Sequence, residues 1–242
     1  MPNLLIAGPT NNGKSMIIEK FLREHPRYAD NGWMHHPVLV VQTPSSPTMT
    51  RFCTAVLTAL DCEPEPRCQA TELERRALAY LEDADVGVLV LDELHNMLAG
   101  NAAERRKFLN LLRYLGNSLR VPLVGVGTHD AHLAIASDDQ LENRFAPLVL
   151  PRWSADRQAR SLLASFAASF PLRRPSPITT PEMASYLIDR SEGTIGELAT
   201  LLGEAAELAI TTGEEAITTE VLAQVDYLGP TKRRRAFARA LG

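Results

Sequence analysis

The sequence predicts an α/β protein, with a parallel sheet covered by helices on both faces and a smaller, all-helical region behind it. Three observations carry this. Val- and Leu-rich runs recur before Pro151 without polar alternation, the pattern of strands buried on both faces. Helical patterns separate those runs, which implies βαβ units. After Pro151 no strand-like run returns.

The first strand is read at Asn3–Ala7, and GPTNNGKS follows it at once. Gly8, Gly13, Lys14 and Ser15 fit G-x-x-x-x-G-K-[ST], the phosphate-binding loop. The two glycines allow backbone angles a side chain would forbid. The loop then curls, and its N–H groups form an anion nest. Lys14 brings a point charge to the β- and γ-phosphates, and Ser15 offers a hydroxyl to Mg²⁺. The candidate ATP-binding set is Gly8, Pro9, Thr10, Asn11, Asn12, Gly13, Lys14, Ser15 and Met16, together with Asp92. Ile17/Phe21 and Ile18/Leu22 stand at helical spacing just behind the loop. That helix aims its positive dipole end at the phosphates.

The second strand is VLVVQ, Val38–Gln42, and the third is VGVLVLD, Val86–Asp92. The third ends in Asp92-Glu93, four apolar residues followed by two acids. Downstream of a phosphate loop this is the Walker B pattern. Asp92 orders Mg²⁺ and its waters, so Ser15 and Asp92 are the metal-binding candidates. Glu93 orients or deprotonates the water that attacks the γ-phosphate. The fourth strand, PLVGV at Pro122–Val126, runs into GTHDA. Thr128 is the candidate for positioning that water, with His129 as the alternative. A fifth, shorter signal is PLVL at Pro147–Leu150, and Arg144 in QLENRF stands before it. Arg144 is either a surface arginine or a finger that reaches a neighbour's γ-phosphate.

Behind Pro151, Ser154-Ala155-Asp156 caps a helix running through Ala168. Thr180-Pro181-Glu182 starts a second, Gly193-Thr194 a third reaching about Thr211, and Thr218-Thr219-Glu220 a short fourth. The expected division is an α/β nucleotide-binding domain at 1–151, a helical domain at 152–229 and a basic tail at 230–242.

Composition narrows the class. The chain has 242 residues, 45% hydrophobic and 22% charged, as an ordinary globular α/β protein does. No apolar run approaches the roughly 18–20 residues of a membrane span, and no secretory signal is visible. A cytoplasmic protein is expected, without membrane partners. Cys53, Cys62 and Cys68 lack paired C-x-x-C spacing and read as reduced thiols. His35, His36 and His95 read as structural. Net charge is −4, which argues against a uniformly basic nucleic-acid binder. The tail is the exception. Lys232, Arg233, Arg234, Arg235 and Arg239 share it with no acid. It is a solvated end, or a tether for DNA or an acidic partner.

Together these pieces resemble the AAA+ ATPases, and more narrowly the TniB family of transposition proteins. The resemblance is carried by GPTNNGKS with MIIEKFLREHP, by LVLDELHNMLAG, by FLNLLRYLGNSLRVPLVGVGTHDA, by QLENRFAPLVLPRW and by SEGTIGELATLL. It covers nearly the whole chain. It implies an AAA+ P-loop fold with strand order 5-1-4-3-2 and a small C-terminal helical lid. It implies an ATPase with ATP and Mg²⁺ as cofactors, its hydrolysis slow and dependent on assembly. The implied function is an ATP-dependent regulator that oligomerises on duplex DNA, as ring or helical filament, and directs a DDE transposase to its target. The implied partners are a TniA-like transposase and a TniQ-like adaptor. Glu93, Thr128 and Arg144 take the catalytic roles argued above.

Two departures from the family pattern stand out. AAA+ proteins usually carry a segment before the first strand that helps form the adenine pocket. Here the first strand begins at Asn3, so the chain resembles a trimmed core. Many AAA+ lids also place an arginine on the third lid helix, where Gly193-Thr194-Ile195-Gly196-Glu197 puts a glutamate. This implies weak nucleotide sensing by the lid and slow hydrolysis. In DNA-encircling relatives the segment after the second strand faces the duplex. Thr48, Thr50, Arg51 and Arg67 are therefore candidates for contacts to phosphates, which give affinity without reading sequence. Two rival functions remain open, an IstB- or DnaC-like helicase loader and an ATP-locked DNA scaffold with little hydrolysis.

Overall fold

The structure, a computed structural model, describes residues 3–46, 48–63, 68–118 and 120–241. Its contacts divide the chain into two compact units. One holds residues up to Thr10 together with Lys14–Leu150, and the other holds Asn11–Gly13 with Pro151 onward.

The first unit is an α/β sandwich. In chain order it holds β1 (Asn3–Ala7), α1 (Lys14–Glu24), β2 (Tyr28–Asp30), β3 (Trp33–His35), β4 (Val38–Gln42), α2 (Met49–Ala59) and α3 (Ala70–Asp83). Then come β5 (Val88–Asp92), a 3₁₀ segment at Leu94–Ala99, α4 (Ala102–Ser118), β6 (Leu123–Gly127), α5 (His129–Ala136), α6 (Asp139–Glu142) and β7 (Phe145–Val149). Five strands form the main sheet in the order β4-β5-β6-β1-β7, and every ladder in it is parallel. Counted within this sheet alone, that is the expected order 5-1-4-3-2.

Alternate residues of each strand serve the two faces. Leu5, Leu39, Val41, Leu89, Leu91 and Leu123 pack with buried residues of α2, α3, α4 and α5. Ile6, Val38, Val90 and Val126 pack on the other face with Ile18 of α1. Both faces are therefore apolar, which is why the strands read as unbroken Val/Leu runs.

The hairpin β2–β3 has no counterpart in the sequence reading. Tyr28 pairs with His35 and Asp30 with Trp33. Asn31 and Gly32 turn it with φ of 49° and 84°, the left-handed pair an Asn-Gly hairpin turn requires. Its strands are three residues long and mostly exposed, so they carry no hydrophobic run to detect.

The second unit contains α7 (Arg157–Ser169), α8 (Pro181–Arg190), α9 (Ile195–Thr212), α10 (Thr219–Gln224) and α11 (Pro230–Leu241). The caps fall where the sequence places them. Asp156 accepts from the N–H groups of Gln158 and Ala159 at 2.8 and 2.9 Å. Thr180 caps α8 with Pro181 in its first turn, and Thr218 caps α10. Gly213 ends α9 in the left-handed conformation at φ 76°. Leu187, Leu201, Leu202, Ile217 and Leu222 form the centre of this unit's own core.

The basic tail is helical and anchored at its start. Thr231 donates from its N–H and its hydroxyl to the Glu192 carboxylate at 2.7 and 2.8 Å. Arg233 pairs with Glu197, which also accepts from the Tyr227 hydroxyl at 2.7 Å. No helix among the described residues is long and apolar enough to cross a membrane.

Candidate nucleotide and nucleic-acid site

In a parallel sheet all strands end on one side. The C-terminal ends of β1, β5 and β6 therefore deliver the GPTNNGKS loop, Asp92-Glu93 and Thr128 to a common edge. Gly8 begins the loop with its N–H donated to Gly127 O at 3.1 Å. A Cβ at Gly8 would stand 2.9 Å from Leu150 O, so the tight start of the loop admits only glycine. Gly13 has φ 86° and Asn11 has φ 61°, both in the left-handed region that curls the loop.

Lys14 opens α1 and folds back into the loop. Its ammonium donates to Gly8 O at 3.0 Å and to Pro9 O at 2.7 Å, and the residue is 9% exposed. Burial lowers its pKa, while Glu93 first and Asp92 second act to raise it. The two acids that end β5 are thus the charges that bear on the loop lysine. Ser15 and Met16 are exposed at the start of α1, as is Thr10 in the loop, while Pro9 is half-buried. Asn11, Asn12 and Gly13 group with the second unit, where Asn12 Nδ2 donates to Pro151 O at 2.9 Å. These features suit a triphosphate. A compact cation lies inside a loop of backbone donors, with a hydroxyl at Ser15 and a carboxylate at Asp92 able to share Mg²⁺.

Asp92 and Glu93 have different settings. Asp92 Oδ1 accepts from the Glu93 N–H at 2.8 Å, and Asp92 O accepts from Thr43 N at 2.8 Å. Glu93 adopts the left-handed conformation, φ 52° and ψ 37°, which turns the chain sharply from β5 into the 3₁₀ segment. Its carboxylate stands 3.1 Å from His95 Nε2. His95 is the residue the sequence reading set aside as structural. The only signal that could have found it is its position two residues beyond the acid pair. Asn96 braces the same segment by donating from Nδ2 to Thr43 O at 2.9 Å.

Thr128 precedes α5, and its hydroxyl oxygen is buried with no hydrogen-bond partner. His129 beside it is exposed and faces the His132 ring at 6.1 Å. Arg144 is elsewhere. It precedes β7, and its carbonyl accepts from Asn3 N at 2.9 Å, so it lies at the end of the sheet where the strands begin. Five residues of strand, about 16 Å at roughly 3.3 Å each, separate that end from the edge carrying Lys14 and Asp92. The structure gathers Lys14, Asp92, Glu93 and Thr128 and leaves Arg144 apart from them.

Thr48, Thr50 and Arg51 form the first turn of α2. Thr48 caps it, accepting from the Arg51 N–H at 3.3 Å, and Thr50 and Arg51 are exposed. A cleft beside them, also lined by Lys107 and Glu104 of α4, adds Lys107, a basic residue that sequence spacing could not associate with α2. Arg67 lies outside the described residues. Cys53 is buried, and burial with the nearby Glu74 charge pushes its thiol up to about 11. Among the described residues no group of three or more His, Cys, Asp or Glu side chains is placed to hold a metal.

The model of the bacterial TniB protein family matches residues 1–155. Among solved structures, the Aeropyrum pernix ORC1 protein in complex with DNA is similar at TM-score 0.67 and 22% identity, over 93% of this chain and 58% of that one. The Aeropyrum pernix ORC2 protein is similar at TM-score 0.65 and 15% identity, over 93% of this chain and 61% of that one. The Thermotoga maritima RuvB Holliday junction branch migration motor is similar at TM-score 0.57 and 16% identity, over 93% and 61%. The chain thus spans about three fifths of the length of these structural relatives. No curated protein matches the sequence. The fold is that of the AAA+ P-loop ATPases.

Proposed function

The chain belongs to the bacterial TniB family, and from that premise we propose that it is an ATP-dependent regulator of transposition. In this reading it binds ATP and Mg²⁺, assembles as a homo-oligomer on duplex DNA and directs a DDE transposase to its target. Hydrolysis is slow and follows assembly. A TniA-like transposase and a TniQ-like adaptor are the protein partners, in the cytoplasm.

The observation that carries the reading is the placement of Lys14, Asp92, Glu93 and Thr128 at one edge of the sheet, with Arg144 at the other end of it. A loop with its lysine, a metal-ordering acid and a water-handling acid supply the parts phosphoryl transfer uses, apart from a further cation such as a trans-acting arginine. Arg144 is too far from its own loop to be that cation and stands on an edge strand, which a neighbouring copy can approach. ATP and Mg²⁺ supply the transferable phosphoryl group and its charge neutralisation. The chain's residues hold the phosphates, orient the water and exchange its proton.

Domain roles follow the same reading, with residues 1–151 binding nucleotide, 152–229 serving as lid and 230–242 as a basic arm. Thr48, Thr50 and Arg51 are the described candidates for DNA phosphates. The Aeropyrum pernix ORC1 structure, of similar fold, is a complex with DNA. One observation favours the scaffold alternative. Glu197, where a lid arginine would be expected, is an acid occupied by Tyr227 and Arg233, and an engaged acid at that position supports slow turnover.

Electron microscopy with duplex DNA in ATP, ADP and a non-hydrolysable analogue tests the proposal, with phosphate release measured alongside. Ordered oligomers in ATP and in the analogue, with DNA-stimulated release, are expected. Oligomers without any DNA-stimulated release would leave the scaffold. No assembly in any nucleotide, with affinity for a replicative helicase, would point to the loader.

A further inference from the structure

Glu93 is not alone at the end of β5. Its carboxylate Oε2 lies 3.1 Å from His95 Nε2, with the two side chains about a third exposed, at 39% and 27%. The other ring nitrogen, His95 Nδ1, is buried and has no hydrogen-bond partner. The ring is therefore held from behind by packing and makes its polar contact only at Nε2. What lies behind it is the end of β6. A Cβ at Gly127 would fall 3.3 Å from His95 Nδ1, 3.4 Å from His95 N and 2.8 Å from the Ala131 methyl. Gly127 is thus the gap into which the ring fits. The same Gly127 accepts the Gly8 N–H through its carbonyl at 3.1 Å, and Thr128 follows it directly. One glycine joins the start of the phosphate loop, the back of the His95 ring and the residue whose buried hydroxyl lacks a partner.

We propose that His95 is a positioning residue for hydrolysis. It donates from Nε2 to Glu93 and sets that carboxylate against the water's path, from a seat fixed by the end of β6. The inference rests on the reading of Glu93 as the acid that handles the attacking water. Glu93 also remains the foremost charge acting on Lys14. The left-handed backbone at Glu93 (φ 52°) makes such a brace useful. The residue leaves the strand at a sharp turn, one position beyond the last ladder pair of β5, Gln42 with Asp92. A neutral imidazole that donates from Nε2 presents a bare lone pair at Nδ1, which matches the unpartnered, buried Nδ1.

Phosphate release in the presence of DNA, with nucleotide affinity measured separately, tests this on the full chain. His95→Ala should lower kcat by about 10²-fold, the scale of a misplaced catalytic group, with ATP affinity unchanged. His95→Gln should recover most of the loss, because its amide nitrogen reaches the place of Nε2. His95→Asn should not, because its shorter amide overlies Nδ1. In a Glu93→Gln background, adding His95→Ala should change nothing further. A wild-type rate in His95→Ala overturns the proposal. So does equal impairment in the Gln and Asn variants, or a second, additive loss in the Glu93→Gln background. A ¹⁵N spectrum of labelled histidine separates this outcome from failure of the functional reading. If the wild-type protein hydrolyses no ATP, the functional reading falls. The spectrum still decides His95, whose Nε2-protonated ring should shift in Glu93→Gln. An Nδ1-protonated ring would overturn the brace.

Discussion

Arg144 donates from Nη1 to Asn117 Oδ1 at 2.8 Å, tying the residue that enters β7 to the C-terminal end of α4. β7 is an edge strand, and the Arg144 side chain is exposed. The contact holds the guanidinium at the rim of the sheet, where a second copy of the chain can meet it. Arg144→Ala should leave ATP binding by the monomer nearly intact and abolish DNA-stimulated hydrolysis. Trans-acting arginines contribute about 10³–10⁵ in rate where phosphoryl transfer depends on them. Mixing Arg144→Ala with Lys14→Ala protein should restore some turnover, since one copy supplies the loop and the other the arginine. Normal assembly by Arg144→Ala alone, with no recovery in any mixture, would remove the finger assignment. Asn117→Ala should reproduce part of the defect.

The loop makes a sharper demand on its first residue. Gly8→Ala puts a methyl 2.9 Å from Leu150 O, against backbone that cannot swing away. Overpacking of this kind costs about 1–3 kcal/mol. Gly8→Ala should therefore lower thermal stability and ATP affinity together. Lys14→Ala should abolish ATP-dependent assembly, because the cation that meets the β/γ-phosphates is gone. A nucleotide titration decides both, and undiminished ATP affinity in Lys14→Ala would refute the site.

Glu93→Gln keeps size and shape but removes the carboxylate that takes the proton from water. ATP binding should persist, phosphate release should fall away, and the DNA-bound oligomer should live longer. Unaltered phosphate release would move the role to another residue.

The tail gives two separable expectations. Lys232, Arg234, Arg235 and Arg239 make no ion pair among the described residues, and Phe237 is 68% exposed. Deleting Lys232–Gly242 should weaken DNA binding and flatten its salt dependence, since fewer counterions are released. Unaltered binding to DNA and transposase would leave the tail a solvated helix. Its seat should respond to acid. The Thr231 N–H above all, helped by the Thr231 hydroxyl, holds the Glu192 carboxyl below the ordinary carboxylate value, against the opposing effect of burial. A carboxyl depressed in the folded state stabilises above its unfolded pKa. That contribution is lost as pH falls through the folded value. Docking of α11 should therefore persist at neutral pH and loosen below about pH 4.5, the carboxylate reference value. Glu192→Gln should remove the pH response, as read by hydrogen exchange of the Thr231 amide.

Four of the five parallel strands were legible as local apolar runs buried in the sheet, while the edge strand β7, exposed over most of its length, left only a short signal. Their observed bounds differ from the sequence reading by one or two residues at β5, β6 and β7. Asp156, Thr180 and Thr218 were legible as caps because capping is a contact within one turn of chain. The hairpin at 28–35 was not, since three-residue exposed strands carry no periodicity and only Asn31-Gly32 marks the turn. The helical state of the tail was not legible either. Its start is anchored by Glu192 and Glu197, more than 30 residues upstream of the groups they hold.

By itself the sequence determined the phosphate loop, the acid pair after β5, the alternation of strand and helix and the change of character at Pro151. Each of these is written in neighbouring residues, through glycine's backbone freedom, burial periodicity and the short reach of a cap. Tertiary structure alone decided that Asp92-Glu93 bears on Lys14, that Arg144 lies at the opposite end of the sheet, and that the end of β6 seats the His95 ring. Those relations join segments that flank different strands. Parallel pairing sets them by bringing distant chain segments to the same edge of one sheet, and no local pattern encodes that register.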